Sequence, residues 1–332
     1  MPLGRTTAGD EGPARAPLAR FAATFLDRYA MPVVFIVLFT TLCFTVDGFD
    51  TKVNLIGLAV SVSMVGMVSC TMLFCLASGD FDLSVESVVM CAGVVAACVS
   101  NRTHSIPLGI AAGLGIGTLV GLVNGVVIAR VGINALITTL ATMQVARGIG
   151  FIVCRGEAVS IPVESFFKLG VGKVAGLPAP IWITCACFVV FGILLHLTTY
   201  GRQTLAIGGN REAARLSGIP VQRVRIIIFA VQGLVAGFAG CILAARLSTG
   251  QPNVAQGFAL DCISACVLGG VSLTGGSGTI LGVLVGVLIM GTVQNAMDLR
   301  SVEPYYQYVV RGGILLAAVL FDNWRRKASH AK

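Results

Sequence analysis

Long apolar runs recur along almost the whole chain, and they decide how its backbone can fold. They cover roughly residues 31–46, 53–76, 84–100, 107–129, 134–153, 181–198, 226–245, 258–272, 279–297 and 306–322. Apolar runs of this length with few charges read as membrane-spanning helices. Inside hydrocarbon every backbone N–H and C=O needs a partner within the protein, which leaves helices or a closed β-barrel. A barrel shows short segments of alternating polarity, whereas these runs are continuous. Only 11% of the residues are charged, against about 25% in soluble domains. The expected fold is therefore all-α, a polytopic membrane helix bundle of about ten transmembrane helices. The third and eighth runs are short and read as half-helices or broken helices.

Lysine and arginine set the orientation, because cytoplasmic loops carry their excess. With the N-terminus inside, the inner segments hold Arg5, Arg15, Arg20, Arg28, Arg130, the five arginines of 200–225, Arg325, Arg326, Lys327 and Lys332. The outer segments hold half as many: Lys52, Arg102, Arg155, Lys168, Lys173, Arg246 and Arg300. Residues 1–30 then form a cytoplasmic N-terminal segment and 31–322 the transmembrane domain. Residues 323–332 form a cytoplasmic tail. The scattered arginines of the first 30 residues do not form a signal peptide; residues 14–29 suit a short interfacial helix or a solvated tail. Segment 154–180 lies outside, with Arg155, Lys168 and Lys173 as candidate contacts for a docking protein.

Gly113, Gly117 and Gly121 recur as Gly278, Gly282 and Gly286 at an offset of 165 residues. An odd number of spans separates the two sets, so the pattern predicts inverted five-helix repeats, about 31–153 and 181–322. Inverted repeats are a recurrent transporter design. The competing explanation is close helix packing, which produces small-xxx-small spacing wherever membrane helices meet.

Several function classes drop out. The eleven cysteines lie in or at the edge of apolar runs, where thiols behave as small hydrophobes, and none has metal-ligand spacing. The net charge of +8 matches basic loops of a membrane protein, with no nucleic-acid motif. His104, His196 and His330 lack catalytic partners. The glycine-rich stretch 268–279 lacks the Gly-Lys-Ser/Thr ending of a P-loop, so the chain has no ATP site of its own. Asn101-Arg102-Thr103 fits a glycosylation sequon by pattern alone.

Two kinds of polar feature remain. Asp80 and Asp82, in Ser78-Gly-Asp-Phe-Asp-Leu-Ser84, stand at a membrane boundary, as part of a pathway or gate or as a loop in which Asp82 caps the next helix. Asn124, Asn134, Thr138, Thr139, Gln144, Arg147, Gln232, Asp261, Asn295, Gln307 and Arg311 interrupt apolar runs. Such residues line a pathway or hold helices together. Asp80, Asp82, Asn124, Asn134, Thr138, Gln144 and Asn295 are the substrate-pathway candidates, because a polar cargo needs hydrogen-bonding side chains along its path. The second feature is the basic stretch 200–225. Asn210–Ser217 is long enough for about two helical turns between the breaks Gly208-Gly209 and Gly218-Ile219-Pro220.

Glu212-Ala213-Ala214-x-x-x-Gly218, followed by Ile228, resembles the EAA loop of ATP-binding-cassette (ABC) importer permeases, without the terminal Leu-Pro. Residues 78–84, 133–144 and 204–210 resemble the ribose/arabinose/galactose-type sugar permeases, closest to the arabinose branch. So do 248–252, 265–272 and 308–312. Phe81 and Glu86 depart from the wider family pattern. The resemblance implies a permease for L-arabinose or a close monosaccharide in the bacterial inner membrane. It implies a homodimer, a separate cytoplasmic ATPase that binds the ATP, and a periplasmic sugar-binding protein. It assigns ATPase coupling to Gly209, Asn210, Arg211, Glu212, Ala213, Ala214, Arg215, Ser217 and Gly218. Ribose or galactose is the alternative cargo; an ion-coupled secondary transporter is the alternative class.

Overall fold

The computed structural model describes residues 17–161 and 164–330, and its regular structure is almost entirely helical. Residues 1–16 of the expected N-terminal segment and residues 331–332 of the tail lie outside the described residues. The helices are α1 (Pro17–Thr45), α2 (Lys52–Ala77), α3 (Val85–Thr103), α4 (Ile106–Val126), α5 (Ala135–Cys154), α6 (Glu164–Val171) and α7 (Ala179–Leu197). They continue with α8 (Thr199–Gly209), α9 (Arg211–Leu216), α10 (Val221–Leu247), α11 (Phe258–Leu268), α12 (Ile280–Leu299) and α13 (Pro304–His330). A π-helical turn, Val127–Val131, prolongs α4 and stops at Gly132, whose φ of 86° suits the left-handed position after a helix.

Each apolar run of the sequence falls on a helix. Among the described residues seven are long and apolar enough to cross a bilayer: α2, α3, α4 with its π turn, α5, α7, α10 and α12. α11 spans only 11 residues, about 16 Å at 1.5 Å per residue, half of a bilayer core. The expectation of a half-helix there holds. The same expectation for the third run does not. α3 is a continuous helix of 19 residues, and the interruption precedes it, in the extended stretch 80–83.

α2 and α10 form the centre. Nearly every residue of α2 from Ser63 to Ala77 is buried, as is most of α10 from Val224 to Ala245. α10 packs against α2, α3 and α4, and α2 against α7, α11 and α12. Both are apolar on all sides, the pattern of a helix surrounded by others. Lipid tails are as apolar as leucine, so closeness of packing holds such helices together. Glycine supplies it. A Cβ on Gly117 would strike the Gly233 carbonyl of α10, and one on Gly121 the Phe229 carbonyl. On α12, a Cβ on Gly286 would strike the Ala265 carbonyl of α11. The glycine spacing thus serves close packing on both helices, against α10 and α3 for α4 and against α11 for α12.

At the end of the bundle away from α9, β1 (Val159–Ser160) pairs antiparallel with β4 (Thr249–Gly250). β2 (Lys173–Val174) and β3 (Leu177–Pro178) close a hairpin. Phe166 of α6 is fully buried against Ala96, Ala244 and Ala245. Arg155, Lys168 and Lys173 are exposed on this side. All eleven cysteines are free thiols, seven of them buried.

Candidate functional site

The basic stretch folds into two short helices set against the end of the bundle. Gly208, near the end of α8, lies so close to the Ala77 carbonyl that any side chain would collide with it. The Gly276 N–H bonds that same carbonyl at 2.9 Å, so the 272–279 loop, the end of α2 and α8 meet at one point. α9 starts at Asn210, whose side-chain oxygen accepts from the Ala213 N–H at 2.9 Å, an ordinary N-cap. It stops at Ser217, whose hydroxyl donates to the Ala213 carbonyl at 2.9 Å. Gly218 follows at φ +82°, the left-handed conformation a C-terminal glycine permits. The breaks read from the sequence are the breaks of the structure.

α9 turns Ala214 inward and leaves Glu212, Ala213, Arg215 and Leu216 exposed. Arg215 donates to both carboxylate oxygens of Glu212, at 3.1 and 2.6 Å. That hydrogen bond holds the Glu212 carboxyl below its usual range and raises Arg215. Leu216 is 75% exposed, a position that the sequence does not mark, because a single leucine beside a polar stretch gives no signal.

Arg211 turns back toward the bundle, where it meets Asp80. Arg225, near the start of α10, binds Asp80 in a two-pronged pair, Nε to Oδ2 at 2.7 Å and one terminal nitrogen to Oδ1 at 2.8 Å. Its other terminal nitrogen donates to the Ile128 carbonyl at 3.3 Å. Asp80 and Arg225 are both buried. Arg211, half exposed, approaches Asp80 Oδ1 and the Ser78 carbonyl at 3.4 Å each. Gly208 and Gly209 thus close the turn while Arg211 clasps it to Asp80. Arg225, Asp80, Asn134 and Arg211 line a cavity of about 500 Å³ at this end.

The other pathway candidates are dispersed. Asp82 Oδ1 accepts from the Ser84 N–H at 2.9 Å and from its hydroxyl at 2.6 Å, while its buried Oδ2 has no hydrogen-bond partner. Asn124 donates to the Ser84 hydroxyl at 2.9 Å and accepts from Thr142 at 2.7 Å. Asn134 caps α5, accepting from the Leu136 N–H at 2.8 Å, and Thr138 bonds back to the Asn134 carbonyl at 3.0 Å. Gln144 is exposed on α5. Asn295 exchanges two amide hydrogen bonds with Asn54, both 2.9 Å, away from α9. Asp80 and Asn134 share a cavity, and Asp82 joins Asn124 through Ser84; Gln144 and Asn295 stand apart from them.

A second constellation gathers residues that the sequence gave no reason to group. Glu86, in the first turn of α3, accepts from the N–H of Gly257, the N-cap of α11, at 2.8 Å. Arg147 of α5 is 3.8 Å from the same carboxylate. Asp261, one turn into α11, holds Arg311 of α13 at 3.1 Å, and Arg311 donates through Nε to Gln294 of α12 at 2.8 Å. Arg147, Asp261 and Arg311 stood out as polar breaks in apolar runs. Glu86 and Gly257 did not, although an arginine within an apolar run demands an acid nearby.

Residues 54–319 match the family described as branched-chain amino acid transport system / permease component. The L-arabinose transport system permease protein AraH of Escherichia coli (strain K12) is 59% identical over 314 residues, covering 94% of this chain and 96% of that protein. The L-arabinose ABC transporter permease protein AraH of Azospirillum brasilense is 55% identical, covering 92% and 90%. The ribose import permease protein RbsC of Escherichia coli (strain K12) is 36% identical, covering 91% and 96%. No solved structure matches the chain.

Proposed function

The chain belongs to the branched-chain amino acid transport system / permease component family, and from that premise we propose that it is the membrane permease of an ABC importer for L-arabinose. The observation that carries the cargo is the match to an L-arabinose permease over 94% of the chain, at an identity far above that to the ribose permease. The chain moves sugar without altering it. ATP is hydrolysed by a separate cytoplasmic ATPase, and a periplasmic binding protein delivers the sugar.

Three features support this reading. α9 is a short, doubly capped helix that presents Glu212, Arg215 and Leu216 outward, a rigid handle for the ATPase. Its root is joined through Arg211 and Asp80 to the stretch that leads into α3, so movement of the handle reaches the bundle. The working unit is a homodimer in the inner membrane with both termini in the cytoplasm, which puts α9 on the ATPase side. Ten segments, one of them ending in the short α11, cross the membrane as inverted halves: α4 packs on α3 and α10, and α12 on the corresponding α11 and α2.

Uptake of labelled L-arabinose by cells carrying the full importer tests the cargo. Unlabelled L-arabinose should compete at lower concentration than ribose, galactose or xylose; a better competitor among these replaces it as the cargo. Substituting Glu212 and Gly218 should leave the permease inserted and abolish uptake. Normal uptake removes α9 from the coupling role.

A further inference from the structure

We propose that the permease holds its sugar midway across the membrane, in a site formed by Asp261, Gln294 and Arg311 beside the point where α3 and α11 meet. The inference rests on the sugar-permease reading and adds a place of contact to it.

Depth comes first. Measured from the end that carries α9, Arg147 lies about 18 Å along α5, Gly257 and Asp261 about 16 and 10 Å along α11 and Gln294 about 21 Å along α12. A hydrocarbon core is about 30 Å thick, so these groups cluster near its middle. Four charged side chains stand at this level: Glu86, Arg147, Asp261 and Arg311. Each centred charge is costly in lipid. Neutral amides could hold the helices together at lower cost, so the presence of four charges points to a role beyond packing.

The backbone points the same way. α3 follows the extended stretch 80–83, and α11 follows the irregular stretch 251–257 that leaves β4 at the opposite end of the bundle. The starts of the two helices meet where Glu86 accepts from the Gly257 N–H at 2.8 Å. Interrupted segments that meet near the midplane are where transporters place substrate. A cavity of about 180 Å³ opens beside this junction, lined by Asp261, Gln294 and Arg311 and walled by Val62, Val65 and Met290. The side chains of Arg311 and Asp261 remain 27% and 21% exposed there.

The chemistry selects the ligand class. One carboxylate, Asp261, is paired with one guanidinium group, Arg311, so the site has no net charge and suits a neutral molecule over an ion. Asp261 accepts, Arg311 donates and Gln294 does both, which is what hydroxyls that donate and accept require. The valine and methionine wall fits the C–H face of a ring. A monosaccharide combines these properties.

The test uses the complete permease–ATPase complex in lipid nanodiscs, without the binding protein, and measures equilibrium binding of tritiated L-arabinose. The native complex should bind it saturably, and Gln294→Leu should weaken binding at least tenfold. Asp261→Asn, which retains an acceptor for Arg311, should do the same if Gln294→Leu fails to assemble. Both are compared as monodisperse complexes that still carry the ATPase. Absence of saturable binding in a native complex that transports L-arabinose once the binding protein is added back overturns the site, as does unchanged binding in both variants. A native complex that does not bind L-arabinose and does not transport it even with the binding protein added overturns the cargo assignment instead.

Discussion

Asp80→Ala tests whether the clasp at the root of α9 carries both stability and coupling. The side chains of Asp80 and Arg225 are only 5% and 8% exposed, with the closest contact at 2.7 Å. Removing one partner of such a pair leaves the other charge buried and uncompensated, at about 3–5 kcal/mol. Arg225 would keep only the Ile128 carbonyl at 3.3 Å. Asp80→Ala should therefore lower the unfolding free energy of the permease by that amount, read in mixed detergent–SDS titrations. The double variant Asp80→Ala/Arg225→Ala should lose less than the sum of the two single changes, because the orphaned charge is gone. Arg211 behaves differently. Its side chain is 47% exposed and its contact with Asp80 is 3.4 Å, so Arg211→Gln should cost about 1 kcal/mol or less. If Arg211 transmits movement from α9, that nearly unperturbed variant should still hydrolyse ATP yet move several-fold less sugar per ATP in proteoliposomes. An unchanged sugar-to-ATP ratio in Arg211→Gln refutes the relay, and an unchanged unfolding free energy in Asp80→Ala refutes the burial argument.

Three further outcomes follow from the packing and the surface. Gly121→Leu should abolish folding of the permease, since even a Cβ there collides with the Phe229 carbonyl, whereas Gly115→Leu, with open space around it, should leave yield and monodispersity unchanged. Gly218→Val places a β-branched residue at φ +82°, at a cost of about 1–3 kcal/mol; transport should fall while insertion, checked by membrane fractionation, is retained. Reversing the charges of Arg155, Lys168 and Lys173, all exposed at the end away from α9, should raise the binding-protein concentration needed for half-maximal uptake, and an unchanged value removes them from the docking surface.

What the sequence reveals about this chain is what lipid enforces locally. An apolar run must become a helix, so every run has one, and the short eighth run becomes the 11-residue α11. Backbone punctuation is equally local: Asn210 caps α9 and Gly218 ends it, as their positions suggest. Pairings across the chain carry no such local mark. Asp80 finds Arg225 across 145 residues, and Gly257 finds Glu86 across 171; only the packing of α3 against α10 and α11 brings them together. The third run misleads because it is short, which suggests a half-helix; the interruption falls ahead of α3, where Asp82 and Ser84 bond each other, and the helix itself is whole. The glycine rows mark the limit of pattern reading, because equal spacing on α4 and α12 records an equal need for closeness and is silent about which neighbour comes close. A polar residue in an apolar run thus identifies a place where a partner must exist, and the fold alone says whether that partner is another side chain or a substrate. Asn295, matched to Asn54 by two hydrogen bonds, has its partner within the chain. Asp261 and Arg311 have each other and still face a cavity, which is why the search for substrate contacts belongs with them.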